Sequence, residues 1–174
     1  IRTAQRLIFI LKEQPNILLA FYGDDFTGST DALEFISRAG AEAVLFTEPP
    51  TAEQLARFPG LQVYGIAGAT RSLPPDQMEA ILLPAFESIK ASGAGFVHYK
   101  VCSTFDSSPA TGSIGKAIDC GSTIFGNALI PVLGGTPSLG RYCLFANLFA
   151  RMGTVHKGPV YRIHRHPSMS KHPV

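Results

Sequence analysis

The stretch Gly23-Asp24-Asp25-Phe26-Thr27-Gly28-Ser29-Thr30-Asp31 decides how this chain is read. An apolar run, Ile17-Leu18-Leu19-Ala20-Phe21-Tyr22, leads into it. Behind it Ala32, Phe35, Ile36 and Ala39 recur at the i, i+3, i+4, i+7 spacing of one helix face. The stretch is therefore a turn from a buried strand into a helix, the place where open α/β sheets bind ligands. Neighbouring acids on extended backbone point to opposite sides. One of Asp24 and Asp25 can face a pocket as base or hydrogen-bond acceptor while the other bonds N–H groups at the helix start. A purely capping role for both is the alternative, and Asp31 with Glu34 also has capping-box spacing.

Outward from this turn, strands and helices alternate. Ala43-Val44-Leu45-Phe46 reads as a second strand, Thr51 to Arg57 as a short helix, and Leu61 to Ala69 as a third strand. Met78, Ile81, Leu82, Ala85, Phe86 and Ile89 form one helical face, opened by Ser72 or the prolines that follow it. Pro84 is expected to kink or split that helix. Phe96 to Val101 reads as a fourth strand, Ile114 to Gly121 as a helix and Ala128 to Leu133 as a fifth strand. Beyond Leu139 the pattern is mixed: Tyr142–Phe149 and Val160–Ile163 fit a ribbon, and residues 164–174 a loop. The alternation predicts right-handed βαβ units: a three-layer α/β/α fold around a mostly parallel, Rossmann-like open sheet. Residues 1–15 are expected to be a tail or surface helix, with one domain over 16–174.

Composition narrows the function classes. With 174 residues, 45% hydrophobic and 16% charged, the chain suits one globular domain. All thirteen acids lie at or before Asp119, and Arg141, Arg151, Lys157, Arg162, Arg165 and Lys171 follow without one. Such a half can hold an anionic ligand, face an acidic partner or form a solvated basic surface. Three scattered cysteines fit a reducing compartment, hence a cytoplasmic protein. No apolar run spans a bilayer, so no membrane partner is expected.

Phosphate-binding signatures fail. Gly112-Ser113-Ile114-Gly115-Lys116-Ala117 resembles the end of a P-loop, but Ala110 and Ala117 stand where a glycine and a hydroxyl are needed. Gly93-Ala94-Gly95-Phe96-Val97-His98 lacks the last glycine of a dinucleotide fingerprint. His164, His166 and His172 have no acid or cysteine nearby and read as surface residues, so no metal site is expected. Basic residues are too sparse for a nucleic-acid face. Three loops survive, each after a strand: Asp24/Asp25, Arg71/Ser72, and Lys100 with Ser103/Thr104. In a parallel sheet they open on one edge. Arg and Lys can hold a carboxylate, and Ser, Thr and Asp can bond vicinal hydroxyls. The matching ligand is a small polyhydroxy acid.

These residues resemble the four-carbon acid sugar kinases. That family's N-terminal domain carries an Asp-Asp-Leu-Thr-Gly-Ala turn, here Asp24-Asp25-Phe26-Thr27-Gly28-Ser29. Its Ser-Arg-x-Leu-Pro-Pro is similar to Thr70-Arg71-Ser72-Leu73-Pro74-Pro75, and its Tyr-Lys-Lys-Val-Asp-Ser-Thr-Leu-Arg-Gly to Tyr99-Lys100-Val101-Cys102-Ser103-Thr104-Phe105. The end, with His172-Pro173-Val174, resembles its His-Pro-Val-Thr junction. Cys102 departs from the usual Asp, and Phe105-Asp106-Ser107-Ser108-Pro109 replaces Leu-Arg-Gly.

The resemblance implies an enzyme of two domains. The N-terminal one binds a sugar acid; a C-terminal one, which would follow this chain, binds ATP with Mg2+. It also implies roles for residues. Asp25, deeper in the turn and favoured, or Asp24 would be the base. Asp24, Thr27, Arg71, Lys100, Ser103 and Thr104 would bind substrate, Arg71 and Lys100 through its carboxylate. A homo-oligomer is compatible with this reading. A non-catalytic sugar-acid binding module is the alternative, and a small nucleic-acid binder a weaker third.

Overall fold

In the computed structural model, residues 16–126, 129–145, 147–155 and 158–163 are described. The first strand, β1 (Leu19–Gly23), is an apolar run buried almost throughout. It pairs in parallel with β3 (Val63–Ala67) on one side and β4 (Phe96–Lys100) on the other, and β2 (Ala43–Phe46) adds to β3. The four-stranded parallel sheet runs β2-β3-β1-β4, and helices flank it in the three-layer α/β/α arrangement that the alternation predicts. Because the strands are parallel, Gly23, Ala67 and Lys100 end side by side. The loops that follow them must share one edge.

The helices are α1 (Phe26–Arg38), α2 (Ala52–Leu55), α3 (Pro75–Ala91) and α4 (Ile114–Phe125). Pro75 opens α3 at its first turn, where a missing N–H costs nothing. Met78, Leu82, Ala85, Phe86 and Ile89 of α3 join Ala20, Tyr22, Tyr64 and Ile66 of the sheet in the main core, with Ala117 and Cys120 of α4. Burying each large apolar side chain contributes roughly 1.5–3 kcal/mol.

Four expectations are corrected. Asp31 and Glu34 lie inside α1; the cap is Asp25, which accepts the Gly28 N–H. Pro84 does not split α3: it sits on the exposed side, where the carbonyl it frees can turn to water. The α4 helix continues past Gly121 to Phe125. Residues 129–133 form no strand; Pro131 gives no N–H to a ladder, and Leu129 and Leu133 stand exposed.

After that segment an antiparallel ribbon begins. Its strands are β5 (Arg141–Leu144), β6 (Asn147–Val155) and β7 (Gly158–Ile163). The Tyr142–Phe149 run is two strands with a turn between them, because Phe145 takes a left-handed φ of 47°. Leu148 of β6 packs with Phe105 and Ile114 in a second, smaller core, so the ribbon braces the loop after β4. The readings of residues 1–15 and 164–174, with His164, His166, His172 and the junction motif, lie outside the described residues. Among the described residues, no helix is long and apolar enough to cross a membrane.

Candidate functional site: an acid-rimmed cleft at the strand ends

Hydrogen bonds stitch the three loops together. The Asp24 N–H donates to Lys100 O at 2.9 Å, and the Arg71 N–H to Asp24 O at 3.1 Å. The Gly112 N–H reaches Leu73 O at 2.9 Å. Gly112 adopts φ 61°, and a Cβ there would collide with the Arg71 carbonyl, so the close approach of the two loops requires glycine. Between these loops opens a cleft of about 550 Å3, lined among others by Asp24, Asp25, Phe26, Arg71, Asp106 and Thr111.

The two adjacent acids have different surroundings. Asp25 caps α1: its Oδ1 accepts the Gly28 N–H at 2.7 Å, and its backbone carbonyl accepts Ser29 Oγ at 2.6 Å. Gly28 leaves room for this carboxylate, which any Cβ there would press. Its Oδ2 lies 3.2 Å from Arg71 Nη1. Asp24 is 3% exposed, and its buried Oδ1 has no hydrogen-bond partner among the described residues. Burial raises its pKa to about 6, helped by the Asp25 charge; Arg71, Lys100 and the Cys102 N–H act against the rise.

Arg71 is the hub. A 3-10 turn, Thr70–Ser72, follows β3 and aims it across the cleft. Its Nη1 donates to Asp25, and its Nη2 donates to Thr104 Oγ1 at 3.2 Å and to Asp106 Oδ2. Thr104 Oγ1 donates in turn to Asp106 Oδ2 at 2.6 Å. Five guanidinium N–H groups leave Arg71 donors for a ligand even in this network. Beneath it, Thr70 Oγ1 lies 2.9 Å from Tyr99 OH, and Tyr99 stacks on Tyr22, so the floor is rigid.

The structure therefore brings Asp24, Asp25, Arg71 and Thr104 together. Lys100 reaches back over the first turn of α1: its Nζ donates to Val101 O at 2.6 Å and would lie 3.3 Å from a Cβ at Gly28. Thr27 is exposed in that same turn, and Ser103 is half-buried; neither lines the cleft, and Lys100 and Thr104 stand behind its lining, Thr104 through its bond to Arg71. Sequence reasoning assigned no role to Asp106, Ser108 or Thr111. The only signal for Asp106 was its place in a hydroxyl-rich loop after a strand; its pairing with a residue 35 positions earlier follows from the fold. Phe105, just before it, takes a left-handed φ of 55° while buried, a strained conformation that turns Asp106 toward Arg71.

Chemically, the rim offers carboxylates that can accept from hydroxyls, a guanidinium that can take a carboxylate, and one acid whose pKa suits proton transfer near neutrality.

The family model described as a sugar-binding N-terminal domain matches residues 19–174. A 3-oxo-isoapionate kinase of Paraburkholderia graminis is 49% identical over 158 residues, covering 91% of this chain and 33% of its own length. A 3-oxo-tetronate kinase of Methylobacterium radiotolerans is 31% identical, covering 83% of this chain and 34% of its own. A solved Salmonella typhimurium LT2 structure superposes with a TM-score of 0.64 at 32% identity, covering 75% of this chain and 31% of that one. The chain spans about a third of the length of the curated relatives it matches. On the match over residues 19–174, this chain belongs to the family of sugar-binding N-terminal domains.

Proposed function

We propose that this domain binds a small sugar acid, of the 3-oxo-tetronate or 3-oxo-isoapionate type, and presents one of its hydroxyls for phosphorylation by ATP. The relatives' activities and the hydroxyl-and-carboxylate chemistry of the cleft support this reading. The observation that carries it is the pair of dissimilar acids beside Arg71: one capped and ion-paired, the other buried with a pKa near 6.

Asp24 is the proton acceptor in this proposal. The Asp25 oxygens are both engaged, by Gly28 N–H and by Arg71, whereas Asp24 Oδ1 is not. This reverses the sequence-based preference for Asp25. Asp25 instead fixes the turn and orients Arg71. Arg71 takes the substrate carboxylate with its remaining donors, and Thr104 with Asp106 holds the guanidinium in place. Lys100 adds positive potential from the α1 side.

ATP supplies the phosphoryl group and Mg2+ offsets its charge, but this cleft does not fit them. Three carboxylates crowd one guanidinium, which repels a triphosphate, and among the described residues no cluster of acid, histidine or cysteine side chains is placed to hold a metal ion. ATP and Mg2+ are therefore assigned to a C-terminal domain of the same protein.

The test is ADP release and calorimetry on the intact protein with 3-oxo-isoapionate and 3-oxo-tetronate. Wild type should bind and turn over at least one of them. Arg71→Ala should lose affinity by about 10- to 100-fold, as expected for a charge-assisted contact. Equal affinity in wild type and Arg71→Ala would remove Arg71 from the site.

A further inference from the structure

The charges around Arg71 carry an inference about selectivity that rests on the functional reading above. A guanidinium meant simply to attract anions would stand free. Arg71 is instead held by two carboxylates, Asp25 on Nη1 and Asp106 on Nη2. Asp106 is 6% exposed and still lines the cleft, and its loop is bent through the left-handed Phe105 to put it there. Thr104 bonds both Arg71 and Asp106, so the acid is fixed by more than the ion pair. Counting Asp24, Asp25 and Asp106 against Arg71 and Lys100, the rim carries no surplus of positive charge.

We propose that Asp106 is a specificity-determining residue: it spends part of Arg71's charge so that the cleft accepts a hydroxyl-rich monoanion and turns away ligands with a second negative charge. A single carboxylate can use the donors Arg71 has left while its hydroxyls donate to the acids of the rim. A second carboxylate on the same small skeleton must lie against Asp25, Asp24 or Asp106, where like charges repel. The same repulsion acts on a phosphorylated product, which gains negative charge as it forms.

Threonate and tartrate separate these cases, because they share four carbons and differ in whether one end is a hydroxymethyl or a carboxylate. Calorimetry on the intact protein should find threonate bound at least about tenfold more tightly than tartrate. Asp106→Asn keeps an oxygen for Arg71 and removes the charge. It should bring the ratio close to one, mainly by improving tartrate. Asp106→Glu should retain the preference for threonate, even at weaker affinity.

A purely structural Asp106 would weaken both ligands together in Asp106→Asn and leave the ratio as in wild type, which would overturn the proposal. So would loss of the preference in Asp106→Glu together with its retention in Asp106→Asn. Wild type that binds 3-oxo-isoapionate or 3-oxo-tetronate but neither threonate nor tartrate would overturn this inference alone; wild type that binds none of the four would overturn the functional reading as well. A wild type that binds both acids with an Asp106-independent ratio overturns the selectivity role alone.

Discussion

Two connections build the cleft, and they do so in opposite ways. Between β1 and α1 the chain needs only Asp24 and Asp25: Asp25 is held locally, by Gly28 and Ser29 one turn ahead, and Asp24 is tied through its backbone to the ends of the neighbouring strands, at Lys100 and Arg71. Between β4 and α4 it takes residues 101–113, and local bonds such as Thr104 to Asp106 are joined there by contacts from elsewhere in the fold. Asp106 is fixed by Arg71, Gly112 by Leu73, and Phe105 by Leu148 of the ribbon. The tight turn positions the proton acceptor through backbone geometry. The long loop positions charge through tertiary contacts. The comparison teaches that one ligand site can have a half that forms with its helix and a half that waits for the rest of the fold.

Variants can sharpen or break this contrast. The largest effect is expected at Asp24→Asn, which should lower turnover by roughly 10²- to 10⁴-fold while leaving the cap intact. Stability should move the other way. The folded pKa of about 6 lies above the unfolded value of 3.8, so the protonated acid stabilises the fold below pH 4. That contribution fades as pH rises through 6. Removing the charge should then stabilise the protein at pH 7.5 by up to about 3 kcal/mol, with little gain at pH 4. Thermal melts at both pH values check this, and wild-type turnover should fall as pH drops below 6.

Next comes Arg71→Lys, which touches both halves. A lysine cannot span Asp25, Thr104 and Asp106 with one planar fork. Affinity for the sugar acid should fall by roughly tenfold, and stability by about 1–3 kcal/mol. Titration calorimetry with chemical denaturation reads both.

Gly112→Ala acts where the long loop meets the Arg71 backbone. Its left-handed φ and the collision with the Arg71 carbonyl should cost about 1–3 kcal/mol. Ligand affinity should drop while amide exchange of Gly28 stays slow, since the Asp25 cap is untouched. Loss of Gly28 protection would mean that the two connections are not separable.

The smallest effect is expected at Thr51→Ala. It removes a capping box with Gln54 on α2, away from the cleft, and should cost about 1 kcal/mol with no change in affinity.

This contrast also explains what the sequence disclosed. The apolar run before Asp24 and the helical spacing after it placed β1, the turn and α1. Strand–helix alternation predicted the parallel sheet, and with it a shared edge for the loops at Asp24/Asp25, Arg71/Ser72 and Ser103/Thr104, of which Thr104 but not Ser103 reaches Arg71. That one of the two acids caps α1 was legible from the turn, but which one was not: Asp25 was favoured as the base, and Asp31 offered a competing cap signal. Asp106 was not, because nothing local marks an acid whose partner is Arg71. The apolar letters of 129–133 suggested a strand that Pro131 does not support. The exposed side of Phe35, half open to solvent, likewise shows that periodicity identifies a helix face without saying how far it is covered.

Crystals of the intact protein soaked with threonate test the shared cleft most directly. The account predicts density for one molecule that contacts Asp24 from the tight turn, Arg71 between them, and Ser108 or Thr111 from the long loop. A threonate ordered against only one of the two connections, or bound outside the cleft, would contradict it.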